Sequence, residues 1–180
     1  MGKHIAVGVT GSIAAYKACE LVRLFTKAGY EVSVVMTDAA KQFVTPLTFR
    51  TLSRNPVCTG LFDDVAEWVP GHISVADRCD ALVIAPCTAN VLAKLATGIA
   101  DDALTATALA CVKPLVLAPA MNVKMWEHPA TRANLAALKS RGAIVVEPAE
   151  GGLACGTTGR GRMPEPLDIF NTTCAVLERA

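Results

Sequence analysis

No CxxC pair occurs among the seven cysteines of this chain, at positions 19, 58, 79, 87, 111, 155 and 174. Their number is odd and their neighbours are mostly apolar. That pattern fits buried, reduced thiols and excludes a disulfide framework or a zinc site of the usual spacing. Excess charge is missing as well: 17 Lys and Arg stand against 16 Asp and Glu, for a net charge of +1, with no basic tract. An electrostatic case for nucleic acid or a membrane surface is therefore absent, which leaves small molecules and protein neighbours as the expected partners. No segment approaches the roughly 18 uninterrupted apolar residues of a membrane span. The opening run MGKHIAVGV is broken too early by Thr10-Gly11 to act as a signal peptide, and Ala6 stands where myristoylation needs Ser or Thr. Tandem repeats and low-complexity tracts are lacking. A soluble, cytoplasmic chain with no metal is expected, folded as one domain over residues 1–180 around the core that 52% hydrophobic residues supply.

What is present is a rhythm of short apolar runs, each ending in small or polar residues. His4 to Val9 runs into Thr10-Gly11-Ser12, after which AAYKACELVRLFTKAG has helical spacing and stops at Gly29. Residues 31–36 supply the next strand, completing a βαβ unit. Residues 81–85 and 115–118 repeat the pattern, ending in Pro86-Cys87-Thr88-Ala89-Asn90 and Pro119-Ala120-Met121-Asn122, and residues 143–146 follow the helix ATRANLAALKSRG. Runs that are apolar on both faces are the mark of buried parallel strands. The expected architecture is a three-layer α/β fold, Rossmann-like or flavodoxin-like, with a mostly parallel central sheet flanked by helices. Between the strands, residues 45–53 read as a helix and 57–62 as a short strand. The run GGLACGTTGRGRM at 151–163 reads as an irregular flap, taken with residue 150 as 150–163, and a last helix spans about residues 166–178.

Open parallel sheets bind ligands beyond the carboxyl ends of their strands, which directs attention to three loops. Gly11 and Ser12 open a helix, where backbone N–H groups and the dipole favour an anion, though the run matches neither GxGxxG nor a Walker A loop; a bare structural turn is the alternative. Thr37 and Asp38 either contribute polar contacts or cap the next helix, and Thr88 and Asn90 read as caps of the helix VLAKLATG. Asp101-Asp102 beside Thr105 reads as a helix start rather than a metal pair. His72 is either a surface or capping residue or, as a neutral imidazole, a base able to take a thiol proton. Cys155 differs from the other thiols in its glycine-rich, polar surroundings. It is either an idle surface thiol or, being protonated at neutral pH with an ordinary pKa of about 8.5, a proton donor.

Taken together, GSIAAYK at 11–17, HIS at 72–74, APCTAN at 85–90, ADDALTAT at 100–107, APAMNVKMW at 118–126, LACGTTGRGRM at 153–163 and EP at 165–166 resemble the homo-oligomeric flavin-containing cysteine decarboxylases over about residues 3–170. The PAMNxxMW and ACG runs are the specific ones. The resemblance implies FMN as cofactor, with Gly11, Ser12, Ile13, Thr37, Asp38 and Ala39 toward its phosphate and ribityl chain and Thr88, Ala89, Asn90 and Ala120 near the flavin. It implies catalytic roles for His72, Asn122 and Cys155, a substrate carboxylate held by Asn122, and substrate contacts from Met125 and from Gly152, Leu153 and Ala154 of the flap. Two features depart from the family pattern: Cys87 at a strand end, and Pro70-Gly71 before His72.

The activity so implied is decarboxylation of 4′-phosphopantothenoylcysteine to 4′-phosphopantetheine in coenzyme A synthesis. The chemistry requires an electron sink before CO₂ leaves. By that resemblance, passing a hydride from Cβ to FMN with loss of the thiol proton gives a thioaldehyde, decarboxylation gives an ene-thiol, and the hydride returned by reduced FMN with a proton from Cys155 gives the saturated product. An oxidative peptide-cysteine decarboxylase stopping at the aminoenethiol, a non-catalytic flavin-binding regulatory subunit and a flavin prenyltransferase are the alternatives. The resemblance further implies trimers with FMN between subunits, some assembled to dodecamers, and in bifunctional relatives a fused phosphopantothenate–cysteine ligase domain.

Overall fold

The computed structural model describes residues 2–62, 70–152, 156 and 158–179. In chain order its elements are β1 (His4–Val9), α1 (Ala15–Lys27), β2 (Glu31–Met36), α2 (Pro46–Ser53), β3 (Val57–Cys58), α3 (Gly71–Arg78), β4 (Ala81–Cys87), α4 (Ala89–Thr97), α5 (Ala103–Ala110), β5 (Leu115–Pro119), α6 (Val123–Glu127), α7 (Pro129–Ser140), β6 (Ile144–Val145), β7 (Ala149–Gly152), β8 (Thr158–Arg162) and α8 (Pro166–Leu177). Six strands pair in parallel in the order β3-β2-β1-β4-β5-β6, and β7 and β8 form a separate antiparallel hairpin. The six-stranded order is that of a Rossmann-like doubly wound sheet, whose direction of winding reverses between β1 and β4.

Alternation along the strands accounts for the layers. Ile5, Val7 and Val9 of β1, Val83 of β4 and Val116 of β5 pack with Leu21 and Phe25 of α1, Phe49 of α2 and Ile169 of α8. The intervening residues Ala6, Leu82, Ile84 and Leu117 pack on the opposite face with Val75, Leu92, Leu104, Trp126 and Leu135. Side chains of successive strand residues point to opposite faces, so two helical layers require strands that are apolar throughout. Each fully buried Leu, Ile, Val or Phe contributes roughly 1.5–3 kcal/mol. Gly8 of β1 permits the close approach of α5: a Cβ there would lie 2.5 Å from Leu104 Cδ1.

Local chemistry sets the helix starts. Thr88 caps α4 by accepting from the Val91 N–H, while Asn90 lies inside that helix rather than at its cap. Asp102 accepts from the Thr105 N–H at 2.8 Å, and Thr105 Oγ1 receives the Asp102 N–H, a reciprocal capping box. The strand expected over 57–62 is confined to Val57–Cys58. His72 falls in the first turn of α3, after Pro70 at the cap. The flap expected to be irregular carries regular pairing among its described residues, with Glu150 opposite Arg160 and Gly152 opposite Thr158.

His4 is a buried polar residue at the edge of the core, its Nε2 2.9 Å from Ser33 Oγ. Burial pushes its imidazole below the ordinary 6.5, opposed by the charge of Glu31, assisted by Arg78 and opposed by Asp80. A histidine with a depressed folded pKa binds fewer protons folded than unfolded, so its contribution to stability is complete above about pH 6.5 and is lost as pH falls from there through the folded pKa. Urea midpoints of the wild type should therefore drop more steeply than those of His4→Gln between about pH 7 and 5. Parallel curves for the two proteins would refute the linkage.

Candidate functional site

The switch point between β1 and β4 opens as a crevice. Thr10, fully buried at the end of β1, donates from Oγ1 to the Pro86 carbonyl at 2.7 Å and accepts the Thr88 N–H at 3.1 Å, joining the ends of the two strands. Above this joint lies a cavity of about 600 Å³ lined by the loops after β1, β2, β4 and β5. Gly11, Ser12, Thr37, Asp38, Ala39, Thr88, Ala89, Asn90 and Ala120, all expected at a cofactor site, line it together. A second cavity of about 340 Å³ shares Ser12, Ala120 and Met121 with the first and extends past Ile13, Tyr16, Lys17, Asn122, Gly152 and Arg162. Volumes within the roughly 300–1,000 Å³ range of ligand pockets, lined by hydroxyl, amide and charged groups together with small apolar residues, suit a small molecule having both apolar and polar parts.

Close packing explains the glycine of the first loop. A Cβ on Gly11 would lie 2.4 Å from the Ala39 Cβ, so its smallness lets the loops after β1 and β2 meet, not only a ligand approach the backbone. Thr37 Oγ1 accepts from the Ala40 N–H at 3.3 Å, which fixes the second loop, and Asp38 pairs with Lys41 at 2.6 Å.

Of the residues assigned to substrate, Asn122 and Gly152 line the second cavity, and Met125 lines the first. Asn122 is the N-cap of α6, and its Oδ1 accepts from the Lys124 N–H at 2.9 Å. That bond orients the amide: its oxygen is turned to the helix, so the NH₂ end is the one directed elsewhere, and only an NH₂ can donate to a carboxylate. Leu153, Ala154 and Cys155 lie outside the described residues. His72 lines neither cavity, and its buried Nδ1 has no hydrogen-bond partner among the described residues. Cys87 is sealed in the core, where burial raises its thiol to about 12, so it acts as packing.

Several lining residues escaped the sequence reading. Lys94 follows Asn90 by four residues on α4, a spacing that places both on one helix face and could have signalled it. It bonds Asp101 at 2.6 Å and Asp102 at 3.4 Å; the Asp101 bond and both carboxylate charges raise the pKa of its ammonium, with partial burial opposing. Asp102 thus both caps α5 and faces the cavity. In the second cavity Lys17, almost fully buried, holds both oxygens of Glu165 at 3.0 Å, and Arg162 reaches the same carboxylate at 2.6 Å. The Lys17 hydrogen bond is the main cause of the lowered Glu165 pKa. No spacing rule joins position 17 to 165, since the contact is made only by the fold. Among the described residues, no group of three or more His, Cys, Asp or Glu could hold a metal ion, and no helix is long and apolar enough to cross a membrane.

Residues 1–178 match the protein-family model described as Flavoprotein. The chain belongs to the Flavoprotein family. This Flavoprotein chain is 51% identical over 178 residues to the coenzyme A biosynthesis bifunctional protein CoaBC of Mycolicibacterium smegmatis, covering 99% of the chain and 42% of that protein. It is 48% identical over 167 residues to the protein of the same description from Bacillus subtilis, covering 93% of the chain and 41% of that protein. The chain therefore spans less than half the length of these relatives. Among solved structures, the Flavoprotein chain is similar to a mutant PPC decarboxylase complexed with pantothenoylaminoethenethiol, with a TM-score of 0.89 and 33% identity over 99% of this chain and 100% of that one. It is also similar to the FMN binding protein AtHal3, with a TM-score of 0.87 and 34% identity over 100% of this chain and 99% of that one.

The hairpin reaches the crevice through Gly161, whose carbonyl accepts the Met121 N–H at 2.9 Å and whose missing Cβ would lie 2.3 Å from the Met121 carbonyl oxygen. Gly161→Ala should push β8 off the end of β5 at a cost of about 1–3 kcal/mol, and speed hydrogen exchange at the Met121 amide. Unchanged protection of that amide would show that the contact does not hold the hairpin.

Proposed function

We propose that this chain is a phosphopantothenoylcysteine decarboxylase, a carboxy-lyase that converts 4′-phosphopantothenoylcysteine to 4′-phosphopantetheine with FMN in coenzyme A synthesis. The supporting observation is the joining of one crevice at the sheet's switch point with near-50% identity to CoaBC proteins across almost the whole chain. Residues 1–180 are read as one flavoprotein decarboxylase domain with its flap at 150–163. The bifunctional description of the relatives supports a fused ligase domain in a longer parent chain, and metabolic relatives support a cytoplasmic location.

The loop residues suit FMN. Ser12 and Thr37 offer hydroxyls beside the small Gly11 and Ala39, and Thr88, Ala89, Asn90 and Ala120 form a wall of low bulk. With Ile13 in the adjoining cavity, these would hold the cofactor. FMN, when bound, supplies a reversible acceptor of hydride from the substrate's Cβ.

The chain's own groups do the rest. Asn122 would donate its NH₂ to the substrate carboxylate, orienting it without the tight neutralisation an Arg would impose, so that CO₂ can depart. Met125, Gly152, Leu153 and Ala154 would enclose the substrate. Cys155 would supply the proton that, with a hydride returned from the reduced cofactor, saturates the ene-thiol. His72 would take the thiol proton, and its absence from the lining of both cavities supports its acting on the crevice of a neighbouring copy within a trimer, which in turn could pack as a dodecamer.

A yellow protein with oxidised-flavin absorbance is expected on purification, and colourless fresh material would overturn the cofactor assignment. With phosphopantothenoylcysteine, Asn122→Ala should slow CO₂ release by about 10- to 100-fold, the worth of one hydrogen bond to a charged group. Cys155→Ser should instead release CO₂ and accumulate the ene-thiol. A normal yield of saturated aminothiol from Cys155→Ser would sink the role given to that thiol.

A further inference from the structure

Away from the crevice, two thiols meet at the opposite end of the sheet. Cys79 caps the C-terminus of α3 just before β4, and Cys111 caps the C-terminus of α5 just before β5. Their Sγ atoms lie 3.7 Å apart, although 32 residues separate them in sequence. The side-by-side packing of α3 and α5 under the sheet brings these ends together. Forming a disulfide, with its S–S distance of about 2.05 Å, would need an approach of under about 2 Å between the sulfurs.

The two sites are unequal. Cys79 is buried and also directs its thiol to the Ala76 carbonyl at 3.5 Å. Cys111 is only half-buried and borders a cavity of about 570 Å³ whose wall includes Lys113, Leu138 and Arg141. Its hydrogen bond with Cys79 draws the Cys111 thiol below the ordinary range; burial opposes this, and the Lys113 N–H and ammonium assist. The same hydrogen bond and burial push Cys79 upward. An accessible, acidic thiol against a buried protonated one has the arrangement of an attacking and a resolving cysteine.

We propose that Cys79 and Cys111 are a redox-modification site, at which hydrogen peroxide entering the cavity beside Lys113 and Arg141 converts the two thiols to an intramolecular disulfide. The Cys111 thiolate attacks a peroxide oxygen, forming an S–O bond as the O–O bond breaks; the displaced oxygen leaves as hydroxide and takes a proton to become water. Cys79, giving up its proton, then attacks the Cys111 sulfur. An S–S bond forms, the S–O bond breaks, and the second oxygen leaves as water. The sulfurs lose two electrons and the peroxide gains them, so no further reactant is needed. The new bond would tie together the far ends of the helices whose near ends carry His72 and Asp102.

The test treats the purified, reduced full chain with a slight excess of hydrogen peroxide and maps it without reduction. A mass loss of about 2 Da and a linked pair of tryptic peptides joining Cys79 to Cys111 are expected, reversed by dithiothreitol. Fragment ions must separate Cys79 from Cys87, which fall in one peptide. Cys79→Ser should leave Cys111 as a sulfenic acid trapped by dimedone, at a rate about tenfold above that of Cys19. Oxidation of Cys111 no faster than of Cys19, or a disulfide that joins any other pair in the wild type, would overturn the proposal. The wild-type map decides the matter even if a serine variant fails to fold.

Discussion

Burial of one parallel sheet on both faces is the constraint from which the other features descend. Parallel strands can be joined only by crossovers, and right-handed crossovers send successive helices to one face until the winding order reverses. In this chain the reversal falls between β1 and β4, where the loop leading to α1 departs to one side and the loop leading to α4 to the other. Two loops that part in this way leave a gap no side chain of the sheet can fill. The crevice is thus a by-product of topology, and Gly11, Ser12, Thr88 and Asn90 surround it because they occupy the first positions after those strands.

Sequence patterns reveal those parts of the molecule whose causes are local. The apolar runs of β1, β2, β4 and β5 declare strands covered on both faces, and Asp102 with Thr105 declares the start of α5 through a hydrogen-bond exchange complete within four residues. The hairpin of β7 and β8 has no such signal. Its glycines look like loop residues, yet Gly159 and Gly161 are small because Val123 and Met121 of distant elements press against them. The Lys17–Glu165–Arg162 cluster was hidden for the same reason, since α1 and the segment before α8 meet only after the sheet is assembled. Lys94 stands between these cases: helical spacing from Asn90 places it on the crevice side, but its ion pairs to Asp101 and Asp102 appear only once α4 and α5 are packed.

One residue can serve architecture and chemistry at once, and in the proposed reading Asn122 would do so by dividing its amide. Its oxygen terminates the backbone of α6, and that structural duty fixes the plane of the group. An aspartate would cap the helix as well but would offer no donor, so under the proposed role an amide rather than an acid at this position would separate a demand of folding from a demand of the site.

Thr10 shows how little material governs the width of the crevice. A single hydroxyl, donating to one backbone group of the neighbouring strand end and accepting from another, latches the two lips of the opening to each other. Lips held in this way do not need to be drawn together by an incoming molecule, so binding energy is not consumed in ordering them. The gap between the two strand ends is thus set by the fold before anything enters it.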